Sequence, residues 1–475
     1  MPDPPLTRVS SAVAIRKVAV FTGSFDPPTT FHRKVVQLLR ERGFDEVILR
    51  LNGPRCDRPD GEHAAPVHRA AMTDLAFQNL PGVSVDHSDL DNGCSVDDYQ
   101  FDSVYADRGE VWHVVSSDFL TDARTGQSLI QTLWPQGQEL WKSSRFVVIH
   151  SPDSPPDAAD LPPVCDLVAV HDEHVPTADI RLRVFLGDDP GHAVPEQVAA
   201  YIRRYRLFTD VPSPRETRLS LPKPRLLIIA DEANPKSRAG AARFRHLESS
   251  DPNAILVLGG DGTMLAAIRK HWRLRLPFLG LNAGTLGFLM NEALPDDLTS
   301  TELVVYRMPM MRVITTSLDG SVAHGLAYSD AWVERDSGQA AWLRVDVDGK
   351  TQVPKVVGDG LLVATPAGSS AYARAMGATP MPLTAPVLTL AGSNVFRPRF
   401  WKPLALPDTA VVRLTSLDTT GKRPIRAFID GHPVGWVRAM EVGVSPVAAV
   451  ELAFTPQFDL SARLLRSMFP PSEEG

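Results

Sequence analysis

The stretch VAVFTGSFDPPTTFH, residues 18–32, decides how the first part of the chain folds. The apolar run 18–21 predicts a buried strand, GSFDPP breaks it, and the amphipathic stretch 31–39 predicts a helix. Small residues in such a loop let backbone N–H groups approach a phosphate, and the following helix N-terminus adds a favourable dipole. His32 lies in the first helical turn, where its ring can donate to a phosphate oxygen. For a bare Gly-Ser-Phe, a glycine turn beside a surface histidine is the simpler interpretation.

Strand-like and helix-like segments alternate along much of the chain. In the first part, strands are predicted over residues 46–51, 111–115, 145–150 and 167–171, and helices over 67–77 and 195–207. After the proline-rich stretch 208–225, strands are predicted over 226–230, 254–258 and 277–281, and helices over 239–247 and 264–272. This alternation predicts parallel sheets. From residue 302 to 454, short β-branched segments with Asp-Gly turns predict an antiparallel β domain.

The length of 475 residues suggests about three domains. We expect an α/β plus β architecture that begins with a Rossmann-like domain over residues 1–212. A proline-rich linker is predicted over residues 213–224, an α/β lobe over 225–300 and an antiparallel β lobe over 301–475. No internal repeat is visible, and the two α/β parts share no obvious motif.

Charge and cysteine content narrow the function class. The formal net charge of −7 disfavours a nucleic-acid-binding protein, which would carry a basic excess. Three scattered cysteines, Cys56, Cys94 and Cys165, show no metal-ligand spacing and fit a reducing compartment. The first residues are too polar for a signal peptide, and no run of about 18 apolar residues occurs, so no membrane partner is expected. Together these features predict a cytoplasmic protein.

The whole string GSFDPPTTFH is more specific than its first glycine, because it resembles the phosphate-binding signature of the nucleotidyltransferase superfamily. A second motif of that superfamily, a serine-rich stretch ending in arginine, resembles VPTADIR at residues 175–181. The resemblance implies that His32 and Arg181 stabilise the transferring phosphates and that Thr177 caps a helix. It also implies an ATP site that includes Gly23, Ser24, Phe25, Thr29, Asp118 and Thr177.

Within the superfamily, residues 194–208 and the His68-Arg69 pair are similar to nicotinamide mononucleotide adenylyltransferases. That resemblance implies that Trp134 stacks on nicotinamide, although a core or surface tryptophan is an equally simple interpretation. It implies in-line attack by the mononucleotide phosphate on the α-phosphorus of ATP. Mg²⁺ would come with ATP and be held mainly by phosphates and water. The usual Gly-Ala-Asp of the family is Ser116-Ser117-Asp118 here, which reduces the room near the ATP ribose.

The second chemical motif is LVLGGDGTM, residues 256–264, a predicted strand that enters a helix through a Gly-Gly-Asp-Gly turn. Such a motif is shared by lipid kinases, NAD kinases and some phosphofructokinases. Three later segments resemble NAD kinases in the same order: NAGTLGFL at 282–289, GDGLLVATPAGSSAY at 358–372 and FIDG at 428–431. A lipid kinase does not account for the long second segment.

The NAD kinase resemblance implies a role for each matched residue. Asp261 would accept the proton of the adenosine-ribose 2′-hydroxyl as that oxygen attacks the γ-phosphate of ATP. Phosphate contacts would come from Gly259, Gly260, Gly262, Thr263 and Asn282. NAD would be held by Ser329, Asp330, Asp359, Ser370, Ala371, Tyr372 and Asp430, with Tyr372 stacking on a base. Ser329 replaces the usual asparagine, and a hydroxyl lacks the two-sided hydrogen bonding of an amide.

Three functional hypotheses follow from these motifs. The first is a bifunctional enzyme that makes NAD from ATP and a nicotinamide or nicotinic acid mononucleotide, and then phosphorylates NAD to NADP. The second is an NAD kinase with an inactive nucleotide-binding N-terminal module. The third keeps the adenylyltransferase and makes the kinase-like half a sensing or oligomerising module. A homo-oligomer is expected from the resemblance alone.

Overall fold

The computed structural model describes residues 16–53, 63–78, 80–93, 100–171, 174–284, 287–418, 421–459 and 462–465. Cys56 and Cys94 lie outside the described residues, whereas Cys165 is free and partly buried. The chain divides into two compact units. One unit comprises residues 1–202 with 208–210, and the other comprises 203–207 with 211–475. Among the helices of the described residues, none has the length and apolar character needed to cross a membrane.

The first unit is built around a parallel sheet of six strands among its described residues, in the order β3-β2-β1-β4-β5-β6. Its strands are β1 Lys17–Gly23, β2 Glu46–Leu51, β3 Val83–Asp86, β4 Glu110–Ser116, β5 Phe146–His150 and β6 Cys165–Ala169. Its helices are α1 Thr30–Glu41, α2 Pro66–Phe77, α3 Ser88–Asn92, α4 Phe101–Val104, α5 Leu129–Leu133, α6 Gly137–Ser143 and α7 Thr177–Phe185. Helix α8, Glu196–Tyr205, begins in this unit, and its last residues belong to the other. This strand order is that of the Rossmann fold and confirms the predicted fold class of this part.

The stretch 18–32 forms the predicted strand, loop and helix. The apolar residues of β1 are buried in the middle of the sheet. Helix α1 begins where Thr29 caps it, and it buries Val35, Val36 and Leu39 against the sheet. The loop between β1 and α1, which was predicted to bind phosphate, therefore lies at the carboxyl end of β1, beside β4, where the order of the strands reverses direction. Ligands of open α/β sheets bind at such switch points.

The second unit holds the remaining strands and helices. Its strands β7–β13 are Glu216–Ser220, Leu226–Ala230, Ala254–Gly259, Phe278–Asn282, Glu302–Ser317, Val322–Ala327 and Asp330–Arg335. Strands β14–β21 are Ala341–Val347, Lys350–Gly358, Gly360–Ala364, Val387–Ser393, Leu404–Pro407, Val412–Ser416, Ile425–Ile429 and His432–Phe454. Its helices are α9 Pro235–Phe244, α10 Asp261–His271 and α11 Tyr372–Ala375.

These strands form one mixed sheet rather than two separate ones. The parallel set β8-β9-β10 continues into the antiparallel strands because β10 pairs with β21 in parallel. Strand β21 also pairs with β11, β19 and β20 in antiparallel register. The predicted mixture of parallel and antiparallel strands is confirmed. The stretch 213–224 differs from the expected linker, because β7 within it pairs with the start of β11.

Candidate functional site

A cavity of about 670 Å³ lies in the first unit beside the carboxyl ends of the central strands. It is bounded by the ends of β1, β4 and β5 and by the first turns of α1. Its lining residues are Phe21, Phe31, His32, Val35, Val115, Ser116, Ser117, Asp118, Ile149, His150, Ser151, Pro152, Asp153, Ser154, Val170, His171 and His174. Of the residues predicted to bind ATP or to act on it, His32 and Asp118 line this cavity directly.

The ring of His32 is fixed by a capping box at the start of α1. The backbone N–H of Thr29 donates to His32 Nδ1 at 3.0 Å, and the backbone N–H of His32 donates to Thr29 Oγ1 at 3.2 Å. Because Nδ1 accepts a hydrogen bond from an amide, the ring proton of neutral His32 must lie on Nε2. Burial, together with the nearby His174, lowers the pKa of His32 to about 4. His32 is therefore a neutral hydrogen-bond donor at pH 7.

Two arginines that do not line the cavity hold the loop between β1 and α1. Arg181 donates from Nη1 to the carbonyl of Asp26 at 2.7 Å and lies 3.5 Å from Thr177 Oγ1. Arg69 donates to the carbonyl of Ser24 from both Nε, at 3.0 Å, and Nη2, at 2.9 Å. The structure thus brings Arg181 to the loop that contains Gly23 and Ser24. Its contact there is with the backbone.

The fully buried Asp26 was not singled out in the sequence. Its Oδ2 accepts from the backbone N–H of Ala64 at 3.0 Å and from the His63 ring at 3.0 Å, which ties the loop to the segment before α2. Phe25 is also buried, and its ring packs 5.1 Å from that of His32, so Phe25 shapes the histidine environment. Both roles depend on the folded loop.

Trp134 does not line the cavity. Its ring packs in a hydrophobic cluster with Phe119 and with the buried residues of β4 and β5. The stacking role expected for Trp134 gains no support from this placement. Three further cavity residues, His150, His171 and His174, were missed in the sequence, although His150 and His171 end predicted strands whose carboxyl ends border ligand sites in parallel sheets.

In the second unit, Asp261 occupies the first turn of α10, immediately after the glycine turn. Its two carboxylate oxygens accept the backbone N–H groups of Phe288 at 2.9 Å and Leu289 at 3.0 Å. Burial raises the pKa of Asp261 above its usual value, while these two hydrogen bonds and the charge of Arg463 oppose that rise. The NAGTLGFL segment therefore orients Asp261. Thr285 and Leu286 of that segment lie outside the described residues.

The glycine turn itself has two different kinds of glycine. A side chain at Gly259 would meet Thr263 Oγ1 at 2.3 Å, so this glycine allows close packing with Thr263. Gly260 and Gly262 face open space, with nothing within 4 Å of an added Cβ. The latter two therefore leave room for a phosphate. Asn282 at the end of β10 pairs with Gly259 at the end of β9. Its Oδ1 accepts a hydrogen bond from the Gly284 N–H at 3.0 Å.

Asp430 connects the late Asp-Gly turn to the Ser329-Asp330 pair. Its carboxylate accepts the backbone N–H groups of Tyr328 at 2.9 Å, Ser329 at 2.8 Å and Asp330 at 3.1 Å. Burial and the charge of Asp430 raise the pKa of Asp330 to about 7, against a hydrogen bond from Ser329. Asp430 therefore fixes the backbone of the predicted NAD-binding pair Ser329-Asp330. The Ser329 hydroxyl donates to Asp330 at 3.3 Å.

The remaining predicted NAD-binding residues lie around β16 and α11. Asp359 accepts from Arg335 Nε at 2.5 Å and from Asn394 Nδ2 at 2.7 Å. Tyr372 is 40% exposed, and its ring meets that of Trp332 edge-on at 5.3 Å. Burial and the carboxylates of Glu334, Asp359 and Asp330 raise the pKa of Tyr372. The ring of Tyr372 is thus partly exposed and lies near Asp359 and Asp330, which belong to two of the predicted NAD-binding motifs.

The turn that precedes α11 packs directly on the Ser329-Asp330 pair. Thr365 Oγ1 donates to the carbonyl of Tyr328 at 2.7 Å, and an added Cβ at Gly368 would lie 2.2 Å from the Ser329 carbonyl. Ser370 Oγ donates to the Ala367 carbonyl at 3.4 Å, and the Ala371 N–H donates to Gly368. Three motifs that are distant in sequence therefore meet here. Within the described residues, no group of three or more His, Cys, Asp or Glu side chains could hold a metal ion.

Residues 20–183 match the family model described as Cytidylyltransferase-like, and residues 223–301 match the ATP-NAD kinase N-terminal domain. The chain is 38% identical over 233 residues to an NAD kinase of Cereibacter sphaeroides, covering 48% of this chain and 91% of that protein. It is 34% identical over 258 residues to an NAD kinase of Xanthomonas oryzae, covering 52% of this chain and 98% of that protein. Among solved structures, an Archaeoglobus fulgidus NAD kinase in complex with ATP matches 51% of this chain and 99% of its own, with 20% identity and a TM-score of 0.40.

Proposed function

The chain belongs to the NAD kinase family, whose N-terminal domain model matches residues 223–301. We propose that the whole chain is a bifunctional enzyme of NAD and NADP synthesis. The first unit transfers the adenylyl group of ATP to nicotinamide or nicotinic acid mononucleotide and releases pyrophosphate. The second unit phosphorylates the 2′-hydroxyl of NAD with ATP. The product of the first reaction is the substrate of the second, which favours their union in one chain.

The kinase reaction is supported by the environment of Asp261. Two backbone N–H groups orient its carboxylate at the N-terminus of α10, and the open side of Gly260 and Gly262 leaves room for phosphates beside it. In the proposed step, the ribose 2′-oxygen forms a bond to the γ-phosphorus as the bond to the β-phosphate oxygen breaks. The hydroxyl proton goes to Asp261, and ADP leaves. Mg²⁺ enters with ATP as part of the substrate.

The adenylyl transfer is supported by one observation above all: His32 presents a fixed Nε2–H at a cavity located at the switch point of a Rossmann sheet. The mononucleotide phosphate is already an anion, so it needs no strong base. A neutral donor can stabilise the charge that builds on the ATP phosphates. Arg181, which now contacts the loop backbone, would turn to the phosphates of bound ATP.

Two narrower functions compete with this proposal. Ser116 and Ser117 line the cavity where the family has smaller residues, which favours an inactive nucleotide-binding first unit. The cavity nevertheless keeps about 670 Å³. Ser329 donates to Asp330 in place of the usual amide, which favours a sensing or oligomerising second unit. We further propose a homo-oligomer, on the resemblance to NAD kinases alone, and a cytoplasmic location, on the scattered cysteines and the polar start of the sequence.

The test uses the purified full chain with ATP, Mg²⁺ and either mononucleotide, followed by chromatographic separation of products. The wild-type chain should yield the dinucleotide and then its 2′-phosphate. Asp261→Asn should stop the reaction at the dinucleotide. His32→Ala should abolish dinucleotide formation but leave phosphorylation of added NAD.

Matched controls come from exposed positions outside both sites. Asp319→Asn and His246→Ala remove the same functional groups there and should leave both activities unchanged. Phosphorylation of added NAD without any dinucleotide synthesis would replace the proposal with the inactive-module alternative. Dinucleotide synthesis without phosphorylation would favour the sensing alternative.

A further inference from the structure

Arg463 lies after the last strand of the second unit, in a segment that none of the sequence motifs covers. The residue is 4% exposed. Its guanidinium lies over the ring of Phe458, 4.7 Å from the ring centre, and that ring stacks on Phe454 at the end of β21 with centres 3.8 Å apart. The backbone N–H of Arg463 donates to the Asp459 carbonyl at 3.1 Å. Burial and stacking therefore fix the guanidinium beside the sheet.

This guanidinium contacts the segment that orients Asp261. Nη1 of Arg463 donates to the carbonyl oxygen of Gly287. The Gly287 carbonyl and the Phe288 N–H belong to one planar trans peptide group, so they point in opposite directions. That N–H donates to Asp261 Oδ2 at 2.9 Å. One rigid peptide group therefore joins the Arg463 guanidinium to the Asp261 carboxylate through two hydrogen bonds.

The position of the cation at the carbonyl end of this peptide has a chemical consequence. Hydrogen bonds in a chain polarise one another, so a guanidinium on the Gly287 oxygen makes the Phe288 N–H a stronger donor. A donor on a carboxylate favours its ionised form. Arg463 also pairs with Glu292 at 3.4 Å, but the Glu292 side chain is 60% exposed and this ion pair contributes little. The contact with the Gly287 carbonyl is therefore the one that bears on the chemistry.

The charged and titratable neighbours of Asp261 come from other segments of the second unit. Burial raises the pKa of Asp261, whereas the N–H groups of Phe288 and Leu289 and the charge of Arg463 oppose that rise. Tyr328 keeps its proton, because burial and the charge of Asp261 raise its pKa far above the usual value. Since a neutral acid cannot accept the ribose proton, groups that keep Asp261 ionised support the reaction.

We propose that Arg463 is a positioning residue of the kinase reaction, which aims the Phe288 N–H at the Asp261 carboxylate by holding the Gly287 carbonyl. This inference rests on the proposed role of Asp261 as the proton acceptor. Without the guanidinium the peptide group can tilt, and its N–H leaves Oδ2. The carboxylate then loses a hydrogen bond that its neutral form does not need, and burial favours the neutral acid.

The test is Arg463→Met in the full chain, which keeps an unbranched side chain against Phe458 and removes the donor. Loss of a hydrogen bond to the carboxylate should move the acid limb of the kcat profile for NAD phosphorylation upward by about one pH unit. On that limb, kcat should be about tenfold below the wild-type value, and the KM for ATP should change little. Arg463→Lys keeps a cation and a donor, so its limb should move less than half as far.

Arg275→Met is the matched control. Arg275 is also buried, donates to the carbonyl of Val447 at 3.1 Å and lies 4.7 Å from the centre of the Trp272 ring. The substitution therefore removes the same kinds of contact without touching the peptide that holds Asp261. This variant should lose stability and keep the wild-type acid limb.

Three outcomes would count against the inference. An unmoved acid limb in Arg463→Met, or an equal shift in Arg275→Met, would overturn it and leave the proposed function intact. If Arg463→Met does not fold, Arg463→Lys decides, and an unmoved limb in that variant overturns the inference as well. A wild-type chain unable to phosphorylate NAD would refute the proposed function and this inference with it.

Discussion

Replacing Asp330 by asparagine should stabilise the second unit at alkaline pH. Asp330 is 5% exposed, and burial together with the charge of Asp430 raises its pKa to about 7. In the unfolded chain an aspartate has a pKa of about 4. Each unit of difference between the folded and unfolded pKa corresponds to about 1.4 kcal/mol. Ionisation of Asp330 therefore destabilises the folded state by on the order of 4 kcal/mol.

The direction with pH follows from the raised pKa. Between pH 4 and 7 the folded state binds more protons than the unfolded state, so stability falls as pH rises through this window and is lowest above it. Asp330→Asn removes the carboxyl group and with it this dependence. The increase in the free energy of unfolding caused by Asp330→Asn should be close to zero at pH 4. It should reach its full value, on the order of 4 kcal/mol, near pH 8.

Urea unfolding of the full chain at several pH values measures the effect. The two units can unfold in separate transitions, so the transition that does not move serves as an internal reference. Asp319→Asn is the matched control. Asp319 accepts hydrogen bonds from Ser321 that lower its pKa, so its removal cannot stabilise the alkaline form. If Asp330→Asn stabilised the chain equally at pH 4 and pH 8, or destabilised it at pH 8, ionisation of Asp330 would not be what destabilises the folded wild-type chain.

Three further outcomes test the packing and the first unit. Gly368→Ala should lose about 1–3 kcal/mol of stability because its Cβ would meet the Ser329 carbonyl at 2.2 Å, whereas Gly338→Ala, with open space around it, should be neutral in the same denaturation assay. Thr29→Ala should lower stability by about 1 kcal/mol, because Thr29 caps α1. It should also lower the rate of dinucleotide synthesis, because the capping box fixes the ring of His32. A wild-type synthesis rate in this variant would contradict a role for that fixed ring. Because the pKa of His32 is about 4, its titration should leave the synthesis rate flat between pH 6 and 8, and an inflection near pH 6.5 that His32→Gln abolishes would show that the ring titrates normally.

Local chemistry explains why much of the fold was predictable. Apolar runs followed by glycine turns and amphipathic stretches specify strand, loop and helix within some 20 residues, and both β1–α1 and β9–α10 form as expected. The proline-rich neighbours of the stretch 216–220 predict a linker, whereas this stretch forms β7. Its pairing partner in β11 lies about 85 residues away, beyond any local pattern.

Local sequence patterns are sufficient to predict the order of the motifs, the two α/β beginnings and a set of candidate site residues. Which of these residues come together depends on long-range contacts: the Asp430 carboxylate accepts the backbone N–H of Asp330 although 100 residues separate them. Burial in the same region raises the pKa of Asp330 to about 7. The physical reason is that hydrogen-bond geometry and desolvation depend on neighbours in space, which long-range strand pairing selects and no local sequence pattern records.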